Sequence, residues 1–97
     1  MGNKVKAEQA EQWGLIYQVV EDDQLQSTAM EMGSHLAKQP TEALANIKEL
    51  VHTAFDYSLN EQLERERKAM QHLGRSDDYR EGVASFMEKR EPNFKGK

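Results

Sequence analysis

The chain has 97 residues, with 17 acidic and 13 basic side chains, a net charge of −4, 37% hydrophobic and 31% charged residues. No run of Lys or Arg exceeds two, which argues against the clustered positive surface that phosphate backbones require, and the lack of cysteine removes disulfides, thiol catalysis and thiolate metal sites. The mean hydropathy of −0.89 is low for a self-sufficient globule, so part of the apolar surface is expected to lie against a partner. No apolar run approaches the ~20 residues of a membrane span. The opening MGNKVKAEQAE lacks the apolar middle of a signal peptide. A soluble, cytoplasmic chain without nucleic-acid or membrane partners is expected.

Ala7 to Trp13 (AEQAEQW) reads as a two-turn helix closed by Gly14 in the left-handed position that ends many helices. LIYQVV, Leu15 to Val20, switches to β-branched and aromatic residues and suits a short strand or extended connector. Asp22 is expected to cap a second helix in which Leu25, Ala29, Met32 and Leu36 recur at helical spacing until Pro40 stops it. Thr41 and Glu42 open a third helix, with Leu44, Ile47, Leu50 or Val51, and Ala54 or Phe55 on its apolar stripe. A turn at Asp56-Tyr57 comes next. Ser58-Leu59-Asn60-Glu61 fits the capping box of a fourth helix, whose stripe of Leu59, Leu63, Met70 and Leu73 is interrupted by Glu66 and ends at Gly74. Ser76 caps a fifth, from about Asp77 to Lys89, with Tyr79, Val83 and Phe86 on one face. Pro92 and its effect on Glu91 end it and leave a loose basic tail. The expectation is one domain over 1–97: all-α, an array of four to five amphipathic helices with one short extended segment near the N-terminus.

Few of these residues suggest chemistry. His35, His52 and His72 have no second ligand at a metal-binding spacing, so no metal is assigned. Asp22-Asp23 and Asp77-Asp78 sit where helices begin and where negative charge is favoured. No phosphate loop or Ser/His/Asp set occurs, and no catalytic residue is assigned. Two positions stand out. Glu66, on an apolar stripe, is either a buried carboxylate that needs a partner or a raised pKa, or a residue at the stripe's edge paired with a Lys or Arg. Gly82 costs a helix about 1 kcal/mol against Ala, which is tolerated where another helix or a ligand approaches the backbone. Phe86 and Lys89, at i and i+3, would share a helix face. Such a pair suits a flat anion, or is a core ring beside a solvated lysine; the residues alone leave both open.

Three stretches, KAEQAEQWGLIYQVV, LNEQLERE and GRSDDYREGVASFMEKREPNFKGK, resemble the C-terminal third of the crotonase superfamily, the enoyl-CoA hydratase/isomerase family. Chains of that family commonly pass through A-x-x-A-x-x-x-G-L-V-x-x-V-V and finish near E-G-x-x-A-F-x-x-K-R-x-P-x-F. Ala7, Ala10, Gly14, Leu15, Val19 and Val20 match the first pattern, with Ile16 for the usual Val. Glu81, Gly82, Phe86, Lys89, Arg90, Pro92 and Phe94 match the second, with Ser85 where Ala is common. Within the family, QAEQWGLIYQVV and GRSDDYREGV are most similar to isomerases of ring-epoxidised phenylacetyl-CoA in phenylacetate catabolism.

The resemblance implies a helical region that builds a homo-oligomer, a trimer in the family. It implies that Phe86 and Lys89 reach the adenosine and phosphate end of coenzyme A bound in a neighbouring subunit. The thioester is the substrate, and no other cofactor is implied. The family's N-terminal ββα core, which carries the oxyanion hole and the acidic catalytic residues, has no counterpart in these residues, so these 97 residues alone are expected to be inactive. The alternative is a stand-alone helical protein-interaction module.

Overall fold

The computed structural model describes residues 2–97 and divides them into two compact units, one through Gly33 and one from Ser34 to Lys97. In the first, α1 (Ala7–Gln12) ends as expected. Gly14 takes φ +72°, Leu15 N–H reaches Ala10 C=O at 2.9 Å and Gly14 N–H reaches Glu11 C=O at 2.9 Å, the paired bonds of a Schellman ending. LIYQVV is an irregular connector, and the described residues contain no strand. A lone strand would leave its backbone groups without a ladder, and no neighbour supplies one.

Asp22 does not cap a helix. It is wound into a 3₁₀ turn, Asp22–Gln24, preceded by an extended Glu21, and no side chain caps that turn. The turn runs directly into α2 (Leu25–Ala37), so Asp22 contributes charge near a helix start but not the capping hydrogen bond.

The second unit has the expected order: α3 (Thr41–His52), a 3₁₀ turn at Ala54–Asp56, α4 (Leu59–Leu73) and α5 (Asp77–Glu88). Ser58 completes the capping box. Its Oγ accepts from Glu61 N–H at 3.3 Å, and Glu61 Oε2 accepts from Ser58 N–H at 2.9 Å. Helices α3 and α4 pack together, bridged by polar groups more than by a dry core. Gln62 Nε2 donates to Leu50 C=O at 3.2 Å, Arg65 Nη1 donates to Thr53 Oγ1 at 2.7 Å, and the Arg65 guanidinium stands 4.1 Å from the Tyr57 ring centroid. Glu66 proves to be exposed. Its carboxylate takes the Gln62 amide at 3.1 Å instead of a lysine or arginine.

Among the described residues no apolar side chain is buried. The stripes expected from the sequence are present, but Leu25, Leu36, Ile47, Val51, Leu59, Leu63 and Met70 are exposed. The two buried side chains are polar, and both belong to α5: Asp78 and Ser85, each 5% exposed. No described helix is long and apolar enough to cross a membrane.

Candidate functional site

Asp78, Glu81, Gly82 and Ser85 stand at i, i+3, i+4 and i+7 and so share one face of α5. The C-terminal tail lies along that face. Asp78 Oδ1 accepts from Lys95 N–H at 2.6 Å, its Oδ2 accepts from Gly96 N–H at 2.7 Å, and Asp78 N–H donates to Lys97 C=O at 2.9 Å. Glu81 receives the Arg90 guanidinium in a two-pronged pair at 2.6 and 3.0 Å, and its Oε1 also accepts from Asn93 N–H at 2.8 Å. Between these anchors the Phe94 ring passes over Gly82, where a β-carbon would lie 3.6 Å from Phe94 Cε1. The tail expected to be loose is therefore fastened. What passes over Gly82 is neither a second helix nor a ligand but the chain's own C-terminal tail, at a distance that leaves room for a methyl group.

Capping of α5 falls to Ser76, whose Oγ accepts from Tyr79 N–H at 3.0 Å, and this leaves Asp78 free to hold the tail. The Glu81 carboxyl is held down at about 2, first by the Arg90 hydrogen bonds and then by the Asn93 amide. Arg90 is correspondingly raised, by Glu81 and then by Glu88, which accepts from Nε at 2.6 Å.

Lys89 is not on the helix. Helix α5 ends at Glu88, and Lys89 adopts the left-handed conformation, φ 54° and ψ 45°. Arg90 N–H reaches Ser85 C=O at 3.0 Å and Lys89 N–H reaches Phe86 C=O at 3.4 Å, so α5 closes like α1 but with lysine where α1 has glycine. The helical i, i+3 relation expected between Phe86 and Lys89 is thereby replaced by a ring on the last turn and an ammonium just beyond a chain reversal. Phe86 is 82% exposed and lines an apolar cavity of about 470 Å³ with Pro40, Ala43, Leu73, Tyr79, Val83 and Phe94. Lys89 is outside that lining.

His72 pairs through Nε2 with Glu42 Oε1 at 2.7 Å, tying the end of α4 to the start of α3. No group of three or more His, Asp or Glu among the described residues is arranged to hold a metal ion.

The profile of the family described as enoyl-CoA hydratase/isomerase matches residues 1–97. The chain belongs to the enoyl-CoA hydratase/isomerase family. It is 48% identical over all 97 residues to the 1,2-epoxyphenylacetyl-CoA isomerase of Escherichia coli, covering 37% of that protein. It is 31% identical over 96 residues to the 2,3-dehydroadipyl-CoA hydratase of the same organism, covering 99% of this chain and 38% of the relative. Among solved structures, an enoyl-CoA hydratase subunit from Geobacillus kaustophilus superposes with a TM-score of 0.91 at 44% identity, over 99% of this chain and 37% of that one. An enoyl-CoA hydratase from Polaromonas sp. JS666 does so with 0.90 at 31% identity, over 97% and 37%. The chain thus spans little more than a third of these relatives, and the all-helical architecture is that of the corresponding segment of crotonase-fold proteins.

Of the family-pattern residues, the structure brings Glu81, Gly82, Arg90 and Phe94 together in the fastening of the tail. Sequence reasoning misses Asp78, treating it only as charge at a helix start. Its signal is present all the same: an acid three residues before Glu81, with a glycine near the end of the tail able to turn back toward it.

Proposed function

We propose that the full-length protein is an isomerase acting on an acyl-CoA thioester, with ring-epoxidised phenylacetyl-CoA as its substrate, and that residues 1–97 supply oligomer contacts and the edge of the coenzyme A site. The observation that carries this reading is the 48% identity, over the whole chain, to a 1,2-epoxyphenylacetyl-CoA isomerase. Phe86 presents an open ring face for the adenine, and Lys89 presents three donors for a phosphate. The compartment is the cytoplasm, and the exposed helical stripes meet other copies of the chain, as a trimer. The 97 residues alone are inactive, because a thioester carbonyl needs preorganised donors aimed at its developing oxyanion, and loss of even one such donor costs about 100-fold.

Mass spectrometry tests the reaction class directly. Full-length protein incubated with 1,2-epoxyphenylacetyl-CoA should convert it to a chromatographically distinct product of unchanged mass, because an isomerisation adds and removes nothing. A product heavier by one water would mark hydrolysis of the epoxide, and hydration of straight-chain enoyl-CoA with the epoxide left untouched would make the protein a hydratase; either overturns the isomerase reading.

A further inference from the structure

We propose that Asp78 and Glu81 are positioning residues for the nucleotide end of coenzyme A: by taking up the tail's backbone amides they hold Lys89 in its left-handed conformation and fix where its ammonium stands relative to the Phe86 ring. The inference rests on the reading of Phe86 and Lys89 as coenzyme A contacts.

A lysine with φ 54° is in a region that its β-carbon disfavours, so surrounding structure must hold it there. The two closing bonds of α5 are one of ordinary length, 3.0 Å, and one long, 3.4 Å. The rest of the restraint comes from the tail beyond Lys89. Arg90, the next residue, is drawn back across the turn onto Glu81 by its forked pair. The same Glu81 oxygen then takes Asn93 N–H, and one turn earlier Asp78 takes Lys95 N–H and Gly96 N–H. Apart from Arg90, every tail donor to these two carboxylates is a backbone amide. It is the path of the tail that is recognised, and that path starts at Lys89. Of the two carboxylates Asp78 is the shielded one, 5% exposed beneath the tail, while the Glu81–Arg90 pair lies nearer to solvent.

Steady-state kinetics of the full-length protein, run on an acyl-CoA and on the same acyl group carried by pantetheine, separates positioning from general damage. Lys89→Ala should raise KM for the acyl-CoA about tenfold, the worth of one charge-assisted contact. Glu81→Gln should raise it by roughly three- to tenfold with kcat unchanged, since it displaces the contact without deleting it. It should also speed tryptic cleavage after Lys95. Asp78→Asn, which bonds to neither Phe86 nor Lys89, should act in the same direction. The pantetheine thioester, lacking the nucleotide, should be turned over by every variant as by the parent. Arg90→Lys, which keeps the charge and loses the fork, carries the same comparison if Glu81→Gln does not fold. An unchanged KM in Lys89→Ala overturns the coenzyme A reading and this inference with it. A raised KM in Lys89→Ala, beside a released tail and unchanged KM in Glu81→Gln and Asp78→Asn, overturns the inference alone. So does an equal loss on the pantetheine substrate, or a tail that stays protected in Glu81→Gln.

Discussion

At Gly96 a β-carbon would overlap Thr41 Oγ1 and the backbone φ is +76°, whereas at Gly82 a β-carbon would meet the Phe94 ring at ordinary contact distance with helical backbone around it. The two glycines therefore respond oppositely to alanine. Gly82→Ala should raise stability in urea by up to about 1 kcal/mol, the helix-propensity difference, with the tail still in place. Gly96→Ala should detach the end of the tail, seen as lost protection of the Lys95 and Gly96 amides from hydrogen exchange. Equal and unfavourable effects would mean that Gly82 has no room for a methyl group.

Acid provides a second handle on the fastening. The folded-state carboxyl of Glu81 lies at about 2 against an ordinary 4.5, so what it contributes is fully present above pH 4.5 and is lost as pH falls from 4.5 toward 2. Exchange at the Asn93 amide, corrected for its intrinsic pH dependence, should accelerate through that window and be fast throughout in Glu81→Gln. Protection that stays flat down to pH 2 would show that Arg90 and Glu81 do not hold the tail.

At the scale of elements, the helix boundaries arise from local chemistry where a side chain can reach the backbone it must satisfy. Ser58 with Glu61 does so reciprocally, and the Ser58 hydroxyl, then its amide, lowers the Glu61 carboxyl. Ser58→Ala should cost about 1 kcal/mol in chemical denaturation, with the loss expressed as fraying of the first turn of α4. An unchanged midpoint would place the stability of α4 in its contacts with α3 alone. Asp22 illustrates the converse. A good capping residue is inert as a cap when it is itself wound into a 3₁₀ turn, because the capping position needs extended backbone and here Glu21 holds that position instead.

For the whole molecule, the decisive fact is that no described apolar side chain is buried. Apolar surface left in water forgoes about 25 cal/mol for each Å² that a partner would cover. The 97-residue chain by itself should therefore self-associate, with Met32, Met70 and Met87 adapting to whatever surface they meet. Sedimentation equilibrium at micromolar concentration checks this. A cooperative 11.2 kDa monomer would show that the helices close their own core after all.

The order and type of the helices, the Gly14 and Ser58 punctuation and the family are all legible in the residues, because capping, glycine stops and helical periodicity act within a few positions. The sequence also pointed to Gly82, Glu81, Arg90 and Phe94 as a matching set without indicating what they do together. Tertiary structure alone decided that the tail is fastened, that Asp78 is buried under it and that Lys89 leaves the helix left-handed. The first two depend on groups nine to nineteen positions apart meeting through hydrogen bonds (Glu81 with Arg90, Asp78 with Lys97), and no local propensity encodes such a meeting; the third closes α5 within five residues, but with a lysine where local preference favours glycine. The exposure of the stripes was likewise undecidable from periodicity, since a helix repeats its apolar residues in the same way whether its own chain or another surface covers them.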